Sequence, residues 1–334
     1  RDDIWDDNME TLERRCVIYT VLGYTLSLID IMLHSYCPII TDYLYLLCFK
    51  KKDLVILESW PNLNTKLINT EIEVTVDKSK KIISLVNAAR MKAKFKRRWP
   101  ISRIVICTYD KSLLESKELS NILKKQLNTK NIDFKIVNFS NFHEKINSLY
   151  ADNLVSVNAK PIISKIAPRL KNDLSKALQA FEKVNLDDLY GQLMSKSYFN
   201  LKYSSGEVEL SRDDVEFTYT GKPPYVMVES DQNDITVFID TTRSNELISM
   251  GLVKDIARNI QQLRKERGFV PTEILSSAHI SNLDDDDSLS LENYKKELAY
   301  YVRVKDIILS HDKLLDTEYK EIDIDGKRIL ISVQ

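Results

Sequence analysis

The chain has 334 residues, of which 43% are hydrophobic and 29% are charged, and this excludes disordered, collagen-like and linker classes. Its 48 basic and 49 acidic residues give a net charge of -1, so any site for a polyanion has to be a local patch. The four cysteines lie far apart and form no C-x-x-C pair. This spacing argues against structural zinc and a secreted disulfide framework, and favours a reducing, cytoplasmic compartment.

The first hundred residues are predicted to be helical. An apolar stretch from Cys16 to Phe49 is interrupted by polar residues and a proline, in runs shorter than the ~18 residues that span a bilayer. We therefore expect a first helix and a second one after Pro38 to be buried in the protein, with no membrane segment. A third helix is predicted from Thr70 to about Phe95, with a basic end.

After Trp99-Pro100 the apolar period changes to a mixture of strands and helices. The main predicted elements are strands at 101–107, 134–137, 215–219, 225–228 and 234–240, helices at 113–127, 168–184 and 244–267, and a hairpin at 321–333. The expected fold class is α+β. An all-α helical bundle over residues 1–98 precedes an α+β region over 99–230 and a C-terminal α+β subdomain over 231–334.

A basic cluster closes the third helix, and it contains no acidic residue. Several such cations can reach phosphates of a nucleic acid, and an aromatic ring among them can stack on a base. The alternative is that the cations complement the helix dipole while the tryptophan packs in the core. The candidate nucleic-acid-binding residues here are Arg90, Lys92, Lys94, Lys96, Arg97, Arg98 and Trp99.

A second basic cluster lies on the late helix, which Ser244 caps and Gly268 ends. Cationic outer faces are common on amphipathic helices, so solvent exposure is the alternative to a binding role. The candidate binding residues of this second set are Arg258, Arg264, Lys265 and Arg267.

No self-contained active site is evident. Met194-Ser195-Lys196-Ser197 is similar to the KMSKS loop that holds ATP phosphates in class I aminoacyl-tRNA synthetases, but Leu193 replaces the leading lysine and no nucleotide-binding sheet precedes it. The four histidines fall in separate predicted elements, and the acidic run from Asp284 to Asp287 lacks the glycine and spacing of a calcium loop. We expect no catalytic residue, cofactor or metal in the chain itself.

Several segments resemble, in order, the C-terminal part of isoleucyl-tRNA synthetase of the archaeal and eukaryotic type. Tyr19 to Leu22 (YTVL) and Cys37 to Tyr45 (CPIITDYLY) are similar to helices of its anticodon-binding bundle. Val55 to Pro61 (VILESWP) is similar to the segment that follows them. The most specific match is Ala88 to Pro100 (AARMKAKFKRRWP), and IQQLRK at Ile260 to Lys265 is a further one.

The resemblance implies a truncated class I anticodon-binding bundle followed by an α+β appendage, which together bind tRNA(Ile). In that family the HIGH and KMSKS motifs and the editing domain precede the bundle, so the chain is expected to be a fragment without the catalytic domain. The parent enzyme attaches isoleucine to tRNA(Ile) with ATP and magnesium. The expected partners are tRNA(Ile) and the N-terminal catalytic domain, with no membrane. Alternatives are a valyl- or leucyl-type synthetase fragment and a non-enzymatic protein-interaction scaffold.

Overall fold

The computed structural model describes residues 12–49, 54–62, 64–111, 117–138, 142–232, 234–312 and 318–334. The chain divides into two compact units, Arg1–Ile72 and Glu73–Gln334, and each is described by itself.

Two α-helices and two 3-10 turns make up the described part of the first unit. The helices are α1 (Leu12–Leu33) and α2 (Pro38–Cys48), and the 3-10 turns are Val55–Leu57 and Thr65–Leu67. Proline is the first residue of α2, where a missing N–H costs nothing. Tyr45 of α2 donates a hydrogen bond of 2.5 Å to the Glu58 carboxylate, and this joins the helix to the segment after it.

The expectation that the apolar run of α1 is buried is wrong. Only Ser27 and Asp30 of this helix are buried, whereas Val17, Val21 and Leu26 are each more than half exposed. The helix is 22 residues long with a mean hydropathy of 1.8 in its most apolar stretch, which is long and apolar enough to span a bilayer. The same length and composition occur in signal sequences and in core helices of soluble proteins. The charged residues of α1 fall near its two ends, so they do not interrupt the run.

Helix α3 (Thr70–Lys92) runs into the second unit and packs there on a sheet. The strands of this sheet are β1 (Ile101–Thr108), β2 (Thr129–Ile136), β7 (Tyr225–Glu229) and β8 (Ile235–Asp240), in the order β2-β1-β8-β7. Strands β1 and β2 are parallel and joined through α4 (Lys117–Leu127), whereas β8 is antiparallel to β1. The sheet thus takes strands from both sides of residue 230.

A second module is built from residues between the two halves of that sheet. Its helices are α5 (Phe142–Ala151), α6 (Ile163–Leu170), α7 (Leu174–Phe181) and α8 (Leu186–Lys196), and its strands are β3 (Val155–Pro161), β4 (Tyr198–Tyr203), β5 (Gly206–Ser211) and β6 (Val215–Gly221). Strand β3 pairs with β6 and β4 with β5, in both cases antiparallel. The single helix predicted over 168–184 is two short helices, because the backbone at Lys171 adopts a positive φ of 42°.

The last module is a four-stranded sheet covered by the late helix, here α9 (Asn245–Glu266). The remaining elements are β9 (Leu275–Ser281), α10 (Asp285–Asn293), α11 (Lys295–Val302), β10 (Val304–Ser310), β11 (Lys320–Ile324) and β12 (Lys327–Val333), with the sheet order β10-β9-β12-β11. The predicted cap and hairpin are confirmed: Ser244 accepts a hydrogen bond from the Leu247 N–H, and a turn with Gly326 at a φ of 85° joins β11 to β12. With helices and strands mixed in this way, the α+β class is confirmed.

Candidate nucleic-acid interface

Helix α3 ends at Lys92, within the basic cluster and three residues earlier than predicted. Lys94 has a φ of 56°, a left-handed conformation that stops a helix, and the Phe95 N–H returns to the Arg90 carbonyl at 2.8 Å. The chain then turns so that Phe95 and Trp99 are buried against the sheet core, at 9% and 6% exposure. The cations between these two rings are therefore placed by an apolar anchor on each side.

Arg90 is buried, with only 2% of its surface exposed. Its guanidinium group bonds to four backbone carbonyls, those of Lys96 (3.2 Å), Trp99 (2.8 Å), Leu127 (2.7 Å) and Asn128 (3.2 Å). Burial, with a smaller effect of the Arg97 charge, lowers the pKa of Arg90 to about 10, so the side chain stays charged at neutral pH. The donors of Arg90 are used inside the protein, so this side chain is not placed for the predicted phosphate contact. It has a structural role instead, because it joins the loop to the end of α4.

Asp255 of α9 is the acidic centre of the cluster and is 3% exposed. Its carboxylate accepts hydrogen bonds from Arg98 Nε at 2.6 Å, from the Trp99 indole N–H at 2.9 Å and from Lys96 Nζ at 3.4 Å. Burial acts to raise the pKa of Asp255, but the hydrogen bonds from Trp99 and Arg98 and the nearby positive charges outweigh it and lower that pKa. A buried, ionised aspartate thus holds the second half of the loop on α9.

The Trp99 ring lies directly against the backbone of α9 at Gly251. A Cβ atom at this glycine would stand 2.5 Å from the ring, so only glycine permits the approach. The guanidinium carbon of Arg243 lies 4.8 Å from the Phe95 ring centroid and 5.1 Å from that of Trp99, which gives cation–π contacts to both. Of the two roles predicted for Trp99, packing is the one that its burial allows.

The remaining cations of the loop are exposed. Lys96 reaches Asp325 in the β11–β12 turn at 2.6 Å, and Lys92 donates to the Met227 carbonyl at 3.2 Å. Lys94 and Arg97 have no ion pair or side-chain hydrogen bond within the described part of the chain. These two are the cations of the cluster that are most open to an external phosphate.

The late helix shows the same division between buried and exposed cations. Arg264 is 5% exposed and bonds to the carbonyls of Val302, Arg303 (2.8 Å), Val270 (3.4 Å) and Glu273 (2.6 Å). Arg267 donates to the Val333 carbonyl at 2.7 Å and pairs with Glu318. Arg258 and Lys265 are exposed and lie seven residues apart on one face of the helix. A phosphate contact is therefore open to Arg258 and Lys265 but not to Arg264.

The structure joins the two clusters that the sequence presented separately. Asp255 links Arg98 to α9, and Asn128 donates to the Arg98 carbonyl at 2.6 Å while accepting from Lys254 at 2.6 Å. The contacts of Asp255, Gly251, Asn128 and Arg243 were not predicted from the sequence. An acid and a glycine within a helix carry no mark of a partner that is about 150 residues away in the chain.

The other candidate chemistry is dispersed. Within the described ranges no three His, Cys, Asp or Glu side chains come together in a way that suits a metal ion. Cys107 is buried in β1, and burial raises the pKa of its thiol to about 12, which keeps it neutral and unreactive. Met194 to Ser197 form the end of α8, where Ser197 has a φ of 66° and turns the chain into β4.

Residues 1–106 match the family model described as the anticodon-binding domain of tRNA ligase. The matched range includes the whole segment from Arg90 to Trp99. The match thus covers the loop described above and the first six residues of β1.

The chain is also similar to isoleucine–tRNA ligases over most of its length. It is 24% identical to that of Clostridium kluyveri over 332 residues, 98% of this chain and 30% of the relative. It is 27% identical to that of Methanosarcina mazei over 305 residues (89% and 27%), and 28% identical to that of Pyrococcus abyssi over 250 residues (72% and 21%). The chain thus spans less than a third of the length of these relatives. Together, the family model and the relatives confirm the resemblance of this chain to the C-terminal part of isoleucyl-tRNA synthetase.

Proposed function

We propose that the chain binds tRNA(Ile) as the C-terminal part of an isoleucine–tRNA ligase. The observation that carries this proposal is the match of residues 1–106 to an anticodon-binding domain, because that range contains the exposed cations Lys94 and Arg97. The relatives' name, isoleucine–tRNA ligase, supports isoleucine as the amino acid. It also disfavours the valyl- and leucyl-type alternatives.

In this proposal the chain supplies binding and other parts of the polypeptide supply the chemistry. Activation of isoleucine with ATP and magnesium belongs to the N-terminal catalytic domain, which we take as a partner of this chain. We take residues 1–98 as the helical anticodon-binding bundle, 99–230 as the α+β appendage and 231–334 as the C-terminal subdomain, with β8 of the last range completing the sheet of the appendage. The compartment is the cytoplasm, where tRNA is charged.

The proposed contacts with the RNA backbone are ionic contacts between cationic side chains and phosphates. Arg97 lies between the buried Phe95 and Trp99, and Lys94 directly precedes Phe95, so both side chains start from a fixed backbone. Lys96 and Arg98 share the carboxylate of Asp255, and their positive charges are partly neutralised by it. We therefore place the main phosphate contacts at Lys94 and Arg97, with Lys92 beside them. Each phosphate neutralised releases counterions, which makes the binding constant fall with salt.

A salt titration of tRNA binding tests the proposal. The double variant Lys94→Ala/Arg97→Ala should bind cognate and non-cognate tRNA more weakly, and the slope of log K against log salt should become shallower by about two units. The matched control is Lys296→Ala/Lys305→Ala, which removes two exposed cations of the last module. Equal slopes for the two double variants, with both folded by circular dichroism, would refute a phosphate grip at this loop. Binding of no tRNA by the unmodified chain would favour the protein-interaction scaffold.

A further inference from the structure

The second module carries an open cavity of about 500 Å³ between α8 and β4. Its wall on the helix side is a stripe formed by Asp188, Gln192 and Lys196, which are four residues apart and so lie on one face. The left-handed conformation of Ser197 ends the helix immediately after this stripe. Because the chain reverses there, the first residues of β4 fold back along the same face.

The strand side of the cavity combines an aromatic ring and an amide. Tyr198 and Asn200 are two residues apart in β4 and therefore share a face of the strand, and Tyr198 is 45% exposed. Val184 and Phe199 are half-buried against the core of the module and add apolar surface to the cavity. The cavity thus has an apolar base, one accessible ring and a rim of hydrogen-bonding groups.

Apart from Asn185, whose side chain caps α8, the polar side chains of this cavity are not used within the described part of the chain. Asp188, Gln192, Lys196, Tyr198 and Asn200 have no side-chain hydrogen bond or ion pair with another residue that the structure describes. All five side chains are exposed. Groups of this kind are available to an external polar ligand.

We propose that this cavity binds one unpaired nucleotide of the tRNA, an inference that rests on the proposed function. Side-chain amides both donate and accept hydrogen bonds, as the edge of a nucleobase does, so Gln192 and Asn200 suit a base edge. The Tyr198 ring provides a stacking surface, and Lys196 at the rim provides one positive charge for the adjoining phosphate. A volume of about 500 Å³ accommodates one nucleotide, within the roughly 300–1,000 Å³ of small-ligand sites.

The charge of the cavity argues against a free nucleoside triphosphate. Lys196 is the single cation among the residues that line it, and Asp188 lies on the same helix face. A triphosphate carries several negative charges, and the glycine-rich loops that cradle it present many backbone N–H groups. One cation and one carboxylate suit a nucleotide with a single bridging phosphate.

Tyr198 variants of the whole chain test the site, with tRNA as the probe. Tyr198→Ala should weaken tRNA binding by about tenfold through the lost stack, while the salt slope stays unchanged because no phosphate contact is lost. Tyr198→Phe keeps the ring and should bind like the unmodified chain. Lys196→Ala should instead make the slope shallower by about one unit. Tyr300→Ala, at another exposed tyrosine (56% exposed), is the matched control and should bind normally.

The outcomes separate this inference from the proposed function. If the slope depends on Lys94 and Arg97 but Tyr198→Ala and Lys196→Ala both bind as the unmodified chain does, the nucleotide site is refuted and the tRNA role stands. If the unmodified chain binds no tRNA, both fail. Saturable binding of ATP alone that is lost in Lys196→Ala would overturn the assignment to an RNA nucleotide. Should Tyr198→Ala unfold, Gln192→Ala/Asn200→Ala on the exposed rim provides the same test.

Discussion

The end of α3 and the second half of α9 are both rich in arginine and lysine, and both contain one buried arginine among exposed cations. Arg90 and Arg264 are each bonded to four backbone carbonyls. These carbonyls belong to segments that leave a helix or enter a strand, where backbone acceptors lack a partner in the element itself. The comparison shows that a basic run in the sequence mixes cations that hold the fold with cations that are free to bind.

The two regions differ in how their remaining cations are held. At the end of α3 the buried carboxylate of Asp255 accepts hydrogen bonds from Arg98, Lys96 and Trp99. At the end of α9 the charged partner of Arg267 is the exposed carboxylate of Glu318. We infer that the loop after α3 is the more rigid of the two cationic surfaces, since its anchor is shielded from water and salt.

The largest expected effect is on stability at the two buried arginines. Arg90→Met and Arg264→Met should each lower the free energy of unfolding by about 3–5 kcal/mol, because several buried carbonyls lose their donor. Urea denaturation followed by circular dichroism measures this change. The control Arg97→Met, at an exposed arginine in the same loop, should change the stability by less than about 0.5 kcal/mol. A large loss of stability in Arg90→Met and none in Arg264→Met would contradict the claim that the two buried arginines have the same structural role.

The close approach of Trp99 to α9 gives the next effect. Gly251→Ala places a methyl group 2.5 Å from the Trp99 ring and should destabilise the protein by about 1–3 kcal/mol through overpacking. Gly191→Ala in α8 is the matched control, since a Cβ atom there meets nothing within 4 Å. At this exposed helical position the alanine should stabilise by about 0.5–1 kcal/mol. Thermal melts of both variants compare the signs, and a stabilising Gly251→Ala would contradict the described packing.

The pH dependence of stability tests the acidic anchor. The pKa of Asp255 is lower in the folded protein than in the unfolded chain, so its stabilising contribution is present above the unfolded pKa and is lost as the pH falls through the folded pKa. Asp255→Asn should lower stability at neutral pH by about 1–2 kcal/mol and remove part of the decline below about pH 4. Urea midpoints between pH 3 and pH 7 measure the difference. Parallel pH profiles for the two proteins would show that Asp255 is not an ionised anchor.

Much of the local structure was predictable from the sequence, because it depends on neighbouring residues. Ser244 as a cap, the strand after Pro100 and the turn at Gly326 all follow from short-range patterns of caps, β-branched runs and turn residues. The break at Lys171 was not predictable in this way, since the α6–α7 segment has a helical apolar pattern throughout.

The contacts that build the candidate site were not predictable for a different reason. Arg98 and Asp255 are brought together by the order of strands β1 and β8 and by the placing of α9, and these are properties of the whole second unit. A list of cations cannot separate Arg90 from Arg97, because burial depends on the partner carbonyls in α4 and after it. The sequence identified the basic segment, but only the structure distinguishes its buried cation, Arg90, from exposed ones such as Arg97.

The smallest expected effect is on tRNA binding by the exposed face of α9. Arg258 and Lys265 stand about 10 Å apart along the helix, too far to share one phosphate, so each can contribute only its own contact. Glu266 and its partner Lys320 lie beside Lys265, and this carboxylate weakens the local positive potential. Arg258→Ala/Lys265→Ala should therefore flatten the salt slope by one unit or less, below the change expected for Lys94→Ala/Arg97→Ala. Glu266→Gln supplies a test of opposite sign, because removing this negative charge should strengthen tRNA binding slightly. If the α9 double variant instead loses more affinity than the loop variant, the ranking of the two surfaces is reversed and the principal RNA contact lies on α9.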